Sequence, residues 1–345
     1  PPAAARSLAG RYRRGVSDRA GEVLVIGAGV AGLTTAVCLA ESGLAVTVQA
    51  RQPPQQTTSA VAGAIWGRHL VEDSDRVTGW CAETLKALTA LTADPGSGIR
   101  LVTGTDAARA GYSRPDWAAP LADLGPCDPA ALPAGFTAGW RYTAPVVSMP
   151  AYLDYLASRL RLAGGQLTVT PLASLARAVE QSAAPVIVNC TGAGARDFVP
   201  DPSVTPVRGQ VVIAENPGIT EFFIGGGDET HELSYVFPHQ DRVVLGGTEI
   251  PGDWSLDPRP GTAQRILADC AAIDPRLASA RILGHRVGLR PVRPEVRLEA
   301  ETAGRDGDRH GAGRLVVHNY GHGGGGVTLS WGCAREVARL VQSSR

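Results

Sequence analysis

The sequence predicts an α/β fold in which a Rossmann-like, parallel-sheet domain is interleaved with a second, mostly antiparallel-sheet domain. Three observations carry that prediction. Near the N-terminus the apolar run Val23-Leu-Val-Ile26 leads into Gly27-Ala28-Gly29-Val30-Ala31-Gly32 and a helical segment ending at Gly43, with a second strand, Ala45 to Gln49, close behind. Near the C-terminus, Val316-Val-His-Asn-Tyr-Gly-His-Gly-Gly-Gly-Gly-Val-Thr328 reads as another strand, a loop with almost no side chains and a helix start. Between them, short stretches alternate apolar and polar residues with period two, the pattern of half-buried antiparallel strands.

The first element is the βαβ entry of a dinucleotide-binding unit. Gly27 would make the turn, Gly29 would admit a pyrophosphate against bare backbone, and Gly32 would let helix pack on strand. The glycine pattern is weak evidence alone; the strand before it and the helix after it give it meaning. Where the second strand ends, a carboxylate commonly takes the ribose hydroxyls, yet here stand Gln49, Ala50, Arg51 and Gln52. The usual nicotinamide signature is therefore missing, and Arg51 reads equally as a phosphate partner or as a solvated strand end.

The rest of the chain alternates between the two domains. A stretch rich in Gly, Pro, Ala and Trp contains strand-like pieces such as Ala64-Ile65-Trp66 and Gly139-Trp-Arg-Tyr-Thr143. A helix is expected from Met149 to Ala163, with Pro150 near its start and Gly164-Gly165 after it, followed by strands at Gln166 to Thr170 and Pro185 to Asn189. Gln210-Val-Val-Ile-Ala214, Ser234-Tyr-Val-Phe-Pro238 and Arg242-Val-Val-Leu-Gly-Gly247 read as antiparallel strands, and Gly304 to Gly313 as a polar surface hairpin. The expected division is residues 21–62, 148–204 and 284–345 against residues 63–147 and 205–283. Residues 1–20, with Arg6, Arg11, Arg13, Arg14 and Arg19, read as a disordered basic tail rather than a targeting segment, because the first apolar run, Val23 to Ile26, enters the glycine fingerprint directly.

Composition narrows the function classes. Across 345 residues Lys plus Arg equals Asp plus Glu at 33 each, so no global field recommends nucleic acid or an anionic membrane as a partner. Six scattered cysteines without metal-ligand spacing read as free thiols, so no metal is expected. No apolar stretch approaches the roughly 20 residues needed to span a bilayer. A small-molecule site is the remaining default, and two elements point to it. Glycines at 321 and 323 to 326 would let a flat ligand press against backbone, while the helix opening near Val327 and Thr328 favours negative charge. Gly288-Leu-Arg290-Pro-Val-Arg293-Pro294 is a stiff segment whose arginines offer a two-point fork for a carboxylate, or for structural partners such as Glu295 and Glu299; Arg293 reads as structural.

Together these segments resemble the D-amino-acid oxidase family from about residue 22 to 340. The resemblance rests on the N-terminal Gly-Ala-Gly-Val-Ala-Gly-Leu33, Thr57-Thr58-Ser59, Ala62-Gly63-Ala64-Ile65-Trp66 and Val188-Asn-Cys190-Thr191-Gly192, then on Arg208-Gly-Gln210, Gly288 to Pro294 and His318-Asn-Tyr-Gly-His-Gly-Gly324. It implies a glutathione-reductase-like flavoprotein with non-covalent FAD and a substrate-binding domain. It also implies oxidation of D-amino acids, neutral ones preferred, by hydride transfer from Cα–H to flavin N5, with O2 giving hydrogen peroxide and the imino acid hydrolysing to a 2-oxo acid and ammonia. By the same resemblance Arg290 holds the substrate carboxylate, the Tyr235 hydroxyl adds a hydrogen bond, and the Gly324 carbonyl receives the amine. The FAD lining it implies comprises the Gly27-to-Gly32 turn, Arg51, Gln52, Thr57, Thr58, Ser59, Gly63, Ala64 and Ile65, together with Leu172, Cys190, Thr191, Gly192, Gly288 and Arg290. Gly323, Gly326, Val327 and Thr328 complete it, the threonine hydroxyl at the flavin pyrimidine ring.

The departures bear on substrate choice. His231 stands where mammalian members carry a second active-site tyrosine, and the loop before it is shorter than their lid. Trp66, Arg68 and His69 fall in the region that lines the side-chain pocket in related enzymes, where cations would favour D-aspartate or D-glutamate, or else face solvent. An acidic D-amino-acid oxidase is therefore the alternative, and a specialised amine or imino-acid oxidase a third reading. The family is often dimeric, though no exposed apolar face here establishes a homodimer. The terminal Ser343-Ser344-Arg345 lacks the peroxisomal Ser-Lys-Leu address, so the expected location is cytoplasmic.

Overall fold

The computed structural model describes residues 22–110, 113–226, 233–304 and 313–344. The basic tail, His231 and most of the expected 304–313 hairpin lie outside the described residues. The chain enters through β1 (Glu22–Ile26), α1 (Val30–Glu41) and β2 (Ala45–Ala50), the βαβ unit that the glycine fingerprint predicts. Val23 to Ile26 are all buried, which requires cover on both faces of the sheet. Gly43, at φ 91°, turns the chain out of α1 in the left-handed conformation that closes many helices.

The short α2 (Thr58–Val61) and the long α3 (Asp75–Leu91) follow, the second capped where Ser74 accepts the Val77 N–H. Then come β3 (Ile99–Ala108), β4 (Gly125–Pro126), β5 (Ala138–Val147), α4 (Met149–Leu162), β6 (Gln166–Val169), α5 (Leu175–Gln181), β7 (Val186–Asn189) and α6 (Ala195–Phe198). The chain continues through β8 (Thr205–Glu215), β9 (Phe222–Gly225), β10 (Ser234–Pro238), β11 (Arg242–Gly246), β12 (Ile250–Pro251) and α7 (Pro260–Ile273). It closes with β13 (Ile282–Ala303), β14 (Arg314–His322) and α8 (Gly326–Ser343).

These strands form one 14-stranded sheet in the order β4-β5-β3-β9-β10-β11-β8-β13-β14-β7-β1-β2-β6, with β12 on β8. From β14 to β6 all pairings are parallel. On the other side they are antiparallel, except that β3 and β9 run parallel. β13 joins the halves: Ile282 to Val292 pair with β8, while Val292 and Arg297 to Ala303 pair with β14, across a register shift between Val292 and Arg297. The β8 pairing shifts register between Ile282 and Gly284, close to the boundary expected from the sequence.

Helices α1, α3, α4 and α8 cover one face of the parallel half, with Leu33, Val37, Leu88, Leu156, Leu329 and Val337 buried among them. α5 and Phe198 cover the opposite face over Leu24, Ile26 and Ile187. α7 packs Ala263, Ile266 and Cys270 against Val212, Val243 and Leu245 of the antiparallel half. α3 and α8 approach so closely at Gly332 that a Cβ there would overlap the Trp80 backbone. Gly79, in the same helix pair, faces open space.

Overpacking costs typically about 1–3 kcal/mol, whereas alanine for an unconstrained helical glycine gains up to about 1 kcal/mol. We therefore expect Gly332→Ala to lower the thermal unfolding midpoint by several degrees and Gly79→Ala to raise it slightly. Equal midpoints for the two variants would reject the close helix contact.

Candidate active site

The dinucleotide end is built from backbone. Gly27, at φ 112°, lies under the Cys190 carbonyl, and Gly32 lies on the Gly27 carbonyl; a Cβ at either position would overlap its neighbour. α1 has no side-chain cap at Gly29 and no acidic residue in its first turn, and Ser59 Oγ accepts the Val30 N–H at 3.0 Å. That hydroxyl stands 3.0 Å from where a Cβ on Gly29 would be. The uncapped N–H groups and positive helix end, beside a serine hydroxyl and two bare glycines, fit the pyrophosphate of FAD.

The other expected lining residues surround this turn. Cys190 contributes backbone, because burial pushes its thiol up to about 12. Thr191 donates from both N–H and hydroxyl to Asn189 Oδ1, at 3.2 and 2.8 Å. Gly192, at φ 58°, follows it, and Pro291 is 4.0 Å from where its Cβ would stand. Thr57 donates to the Pro54 carbonyl, while Thr58 Oγ1 accepts the Leu289 N–H and its methyl lies against Gly288. Gly63 faces the rings of Phe237 and Tyr235, Ala64 holds φ 54°, and Ile65 bridges to Val146. Arg51 is exposed at the end of β2, Gln52 bonds the Gln56 carbonyl at 2.7 Å, and Leu172 is half-buried at the edge of the opposite-face core.

The substrate end gathers around Arg290. Its guanidinium lies on Gly209, where a Cβ would come within 2.7 Å of Nη1, and Nη1 donates to the Thr248 carbonyl at 2.8 Å. Neither Glu295 nor Glu299 takes it; Glu299 is engaged by Arg297 at 2.7 Å. Burial raises the Tyr235 phenol above its ordinary value, against the pull of the nearby Arg290 charge. The Tyr235 ring stacks on Phe237 at 4.6 Å and covers Gly246 and Gly247, where side chains would collide with it.

Across from the arginine, Gly324 is exposed, donates its N–H to the His69 carbonyl at 3.1 Å, and lies under the His69 imidazole. Gly323 is pressed on the Leu70 carbonyl, and Leu70 itself holds φ 50°. Two non-glycine residues with positive φ, Ala64 and Leu70, thus frame this loop, and such backbone strain concentrates at functional sites. His69 Nε2 lies 2.7 Å from Glu249 Oε1, a close contact rather than an aligned hydrogen bond. Burial would raise the Glu249 carboxyl, but His69 and the Arg290 charge outweigh it and hold it below the usual value.

Several expected roles change. Arg68 turns away to Asp73 and the Glu72 carbonyl, at 2.8 and 2.9 Å. The Trp66 indole is 1% exposed and donates to the Cys81 carbonyl, so its ring serves the core. The Thr328 hydroxyl, expected at a flavin ring, is occupied on both sides by Gly67: it donates to the Gly67 carbonyl at 2.7 Å and accepts the Gly67 N–H at 3.1 Å. α8 nonetheless opens at Gly326 with no side-chain cap and no acidic first-turn residue, and Val327 is buried behind it. Sequence reasoning missed Thr248 and Glu249, which lie beside the Gly246-Gly247 pair, and the spacer role of Gly209. The adjacent glycines were the available signal.

Below the site, Arg293 Nε donates to Asp201 at 2.8 Å and the Tyr320 hydroxyl donates to the same oxygen at 2.7 Å. Burial disfavours the Asp201 charge, yet the bonds from Ser203, Tyr320 and Arg293 hold its carboxyl far below the usual range. This cluster fastens the middle of β13, three residues beyond Arg290.

Fold and site together define an oxidoreductase that works with a dinucleotide flavin. Solved structures share the fold. Glycine oxidase from Geobacillus kaustophilus superposes with a TM-score of 0.78 at 19% identity, over 94% of this chain and 95% of that one. L-proline dehydrogenase from P. horikoshii gives 0.71 at 17%, over 94% of each chain. The FAD dependent oxidoreductase family matches residues 22–340, and the chain belongs to it. Among its relatives, the D-amino-acid oxidase of Rubrobacter xylanophilus is 47% identical over 321 residues, covering 92% of this chain and 95% of its own. The D-amino-acid oxidase of Streptomyces coelicolor is 44% identical, over 94% and 98%. The D-aspartate oxidase of Homo sapiens is 35% identical, over 92% and 94%.

His322, at the head of the glycine tract, bonds Asn319 Oδ1 through Nε2 at 2.9 Å, and burial pushes it down to about 4. An unfolded histidine titrates near ~6.5, so the stability that depends on neutral His322 is complete above that pH and is lost as pH falls towards 4. We expect the unfolding midpoint to drop between pH 7 and 4.5, with a shallower drop in His322→Gln. Parallel pH profiles for the two proteins would count against it.

Proposed function

We propose that this chain oxidises D-amino acids, neutral ones by preference, to 2-oxo acids with release of ammonia and hydrogen peroxide. The observation that supports it is that Arg290, oriented by the Thr248 carbonyl and with the Tyr235 phenol near its charge, adjoins Pro291, whose carbonyl accepts the Gly323 N–H next to exposed Gly324. With one Arg290 nitrogen fixed by Thr248, the fork is oriented and its remaining N–H groups are left for a carboxylate. The Tyr235 hydroxyl, already at that guanidinium, would add a second donor. The amine would go to the bare Gly324 carbonyl, and both anchors would fix the Cα–H direction, which is where D-selectivity arises. Bound FAD supplies the electron acceptor for the Cα hydrogen and its electron pair, and O2 reoxidises it.

The acidic-substrate alternative would gain if two of Arg68, His69 and His231 faced the pocket. Arg68 is paired with Asp73 and His69 with Glu249, which favours the neutral reading. The reading extends to a cytoplasmic enzyme, homodimeric like many of its family, which sedimentation of the purified holoenzyme would check.

The test is peroxide release by the purified yellow protein across a panel of D- and L-amino acids. Arg290→Ala should lower kcat/KM for neutral D-amino acids by about 10³-fold, the order expected when one partner of a desolvated charge pair is removed, and Arg290→Lys should recover only part of it. An FAD-loaded enzyme silent on every D-amino acid would overturn the proposal and move the reading to a specialised amine or imino acid.

A further inference from the structure

We propose that Glu249 sets the charge specificity of the site: its carboxylate, held on His69 beside Arg290, disfavours any substrate with a second carboxylate and favours one with a cationic side chain. The inference rests on the oxidase reading above and goes beyond it in naming the residue that separates substrate classes.

Glu249 is placed for this by the backbone. It follows Thr248, whose carbonyl holds Arg290, and its Oε1 is 2.7 Å from His69 Nε2. The His69 ring in turn covers Gly324. The carboxylate is thereby linked through one neighbour to each of the two points at which a substrate would be anchored. Its side chain is 30% exposed, so it is neither sealed in the core nor out in bulk water.

A count of charge decides which ligands this arrangement tolerates. The α-carboxylate of any amino acid neutralises Arg290. The second carboxylate of D-aspartate or D-glutamate lies only about 3–5 Å from the first, so when Arg290 holds the first it falls in the field that already couples Glu249 to Arg290. A site for such substrates needs a second cation, and among the described residues those at hand are engaged elsewhere. Arg68 is on Asp73, Arg293 on Asp201, Arg297 on Glu299, and His69 on Glu249 itself. A second anion would meet a like charge in a part-buried site, whereas an ammonium or guanidinium side chain would meet an opposite one. Allowing for the exposure of Glu249 and for the share of its charge taken by His69, the discrimination expected is about tenfold.

Three carboxylates without an α-amine, and so not oxidisable here, isolate the charge: pentanoate, glutarate and 5-aminopentanoate. Calorimetric titration of the holoenzyme should show glutarate binding about tenfold more weakly than pentanoate, and 5-aminopentanoate at least as tightly as pentanoate. In Glu249→Gln the pentanoate–glutarate gap should close by about tenfold, and kcat/KM for D-glutamate relative to D-norleucine should rise by a similar factor while that for D-lysine falls. His69→Gln, which leaves the carboxylate in place, should keep or widen the gap.

An unchanged gap in Glu249→Gln protein of wild-type melting temperature and flavin spectrum would overturn the inference. So would a gap that closes equally in His69→Gln, since the contact and not the charge would then be responsible. If the wild type oxidises no D-amino acid, the function proposed above fails on its own, and the three-ligand titration still decides for or against Glu249.

Discussion

The antiparallel pairing of β13 with both β8 and β14 is the constraint on which the molecule depends. One strand of 22 residues serves as the last member of an antiparallel array and as the first neighbour of a parallel one. Arg290 sits in its β8-paired half, opposite Val207, and only two residues later Val292 is already opposite His322 of β14. The group that reads a carboxylate and the strand that leads into the glycine tract are thus tied by main-chain hydrogen bonds. A rigid connection of this kind lets a site hold tolerances of a fraction of an ångström without dedicated side-chain scaffolding.

Around that spine, the site is made by removing side chains. Gly209 makes room for the arginine fork, Gly246 and Gly247 for the tyrosine ring, and Gly323 and Gly324 for the backbone and ring of the loop opposite. Each glycine costs conformational entropy, and the antiparallel ladder and the Asp201, Arg293 and Tyr320 cluster hold the segment in place against that cost. Both helix N-termini that open into the cleft, at Val30 and Gly326, lack acidic residues in their first turns, so their positive ends are left for the cofactor.

Much of this was legible in the sequence, for a reason that differs by element. The βαβ entry could be read because its strand is apolar on both faces and its turn glycines carry fixed steric duties, which the overlaps at Gly27 and Gly32 show. The stiffness of the Arg290 segment could be read from Pro291 and Pro294, while the carboxylate role of Arg290 came from the family resemblance. Side-chain direction could not: Arg68 and Trp66 adjoin the site in sequence, yet one reaches outward to Asp73 and the other inward to Cys81. Local pattern does not encode which way a loop residue turns. Glu249 was illegible for the complementary reason, since its partner His69 comes from a distant segment and only the completed sheet brings the two loops together.

The loop from Ala64 to Leu70 is fastened to the head of α8 almost wholly through its main chain: Gly67 through both its N–H and its carbonyl, His69 through its carbonyl, and Leu70 by carbonyl contact. Attachment by main-chain atoms is indifferent to what the side chains are. Substitutions at His69 can therefore accumulate in descendants of this enzyme without removing the main-chain bonds that hold the loop. The range of molecules it accepts and the chemistry it performs on them are heritable separately, and a lineage can drift in diet while its reaction stays fixed.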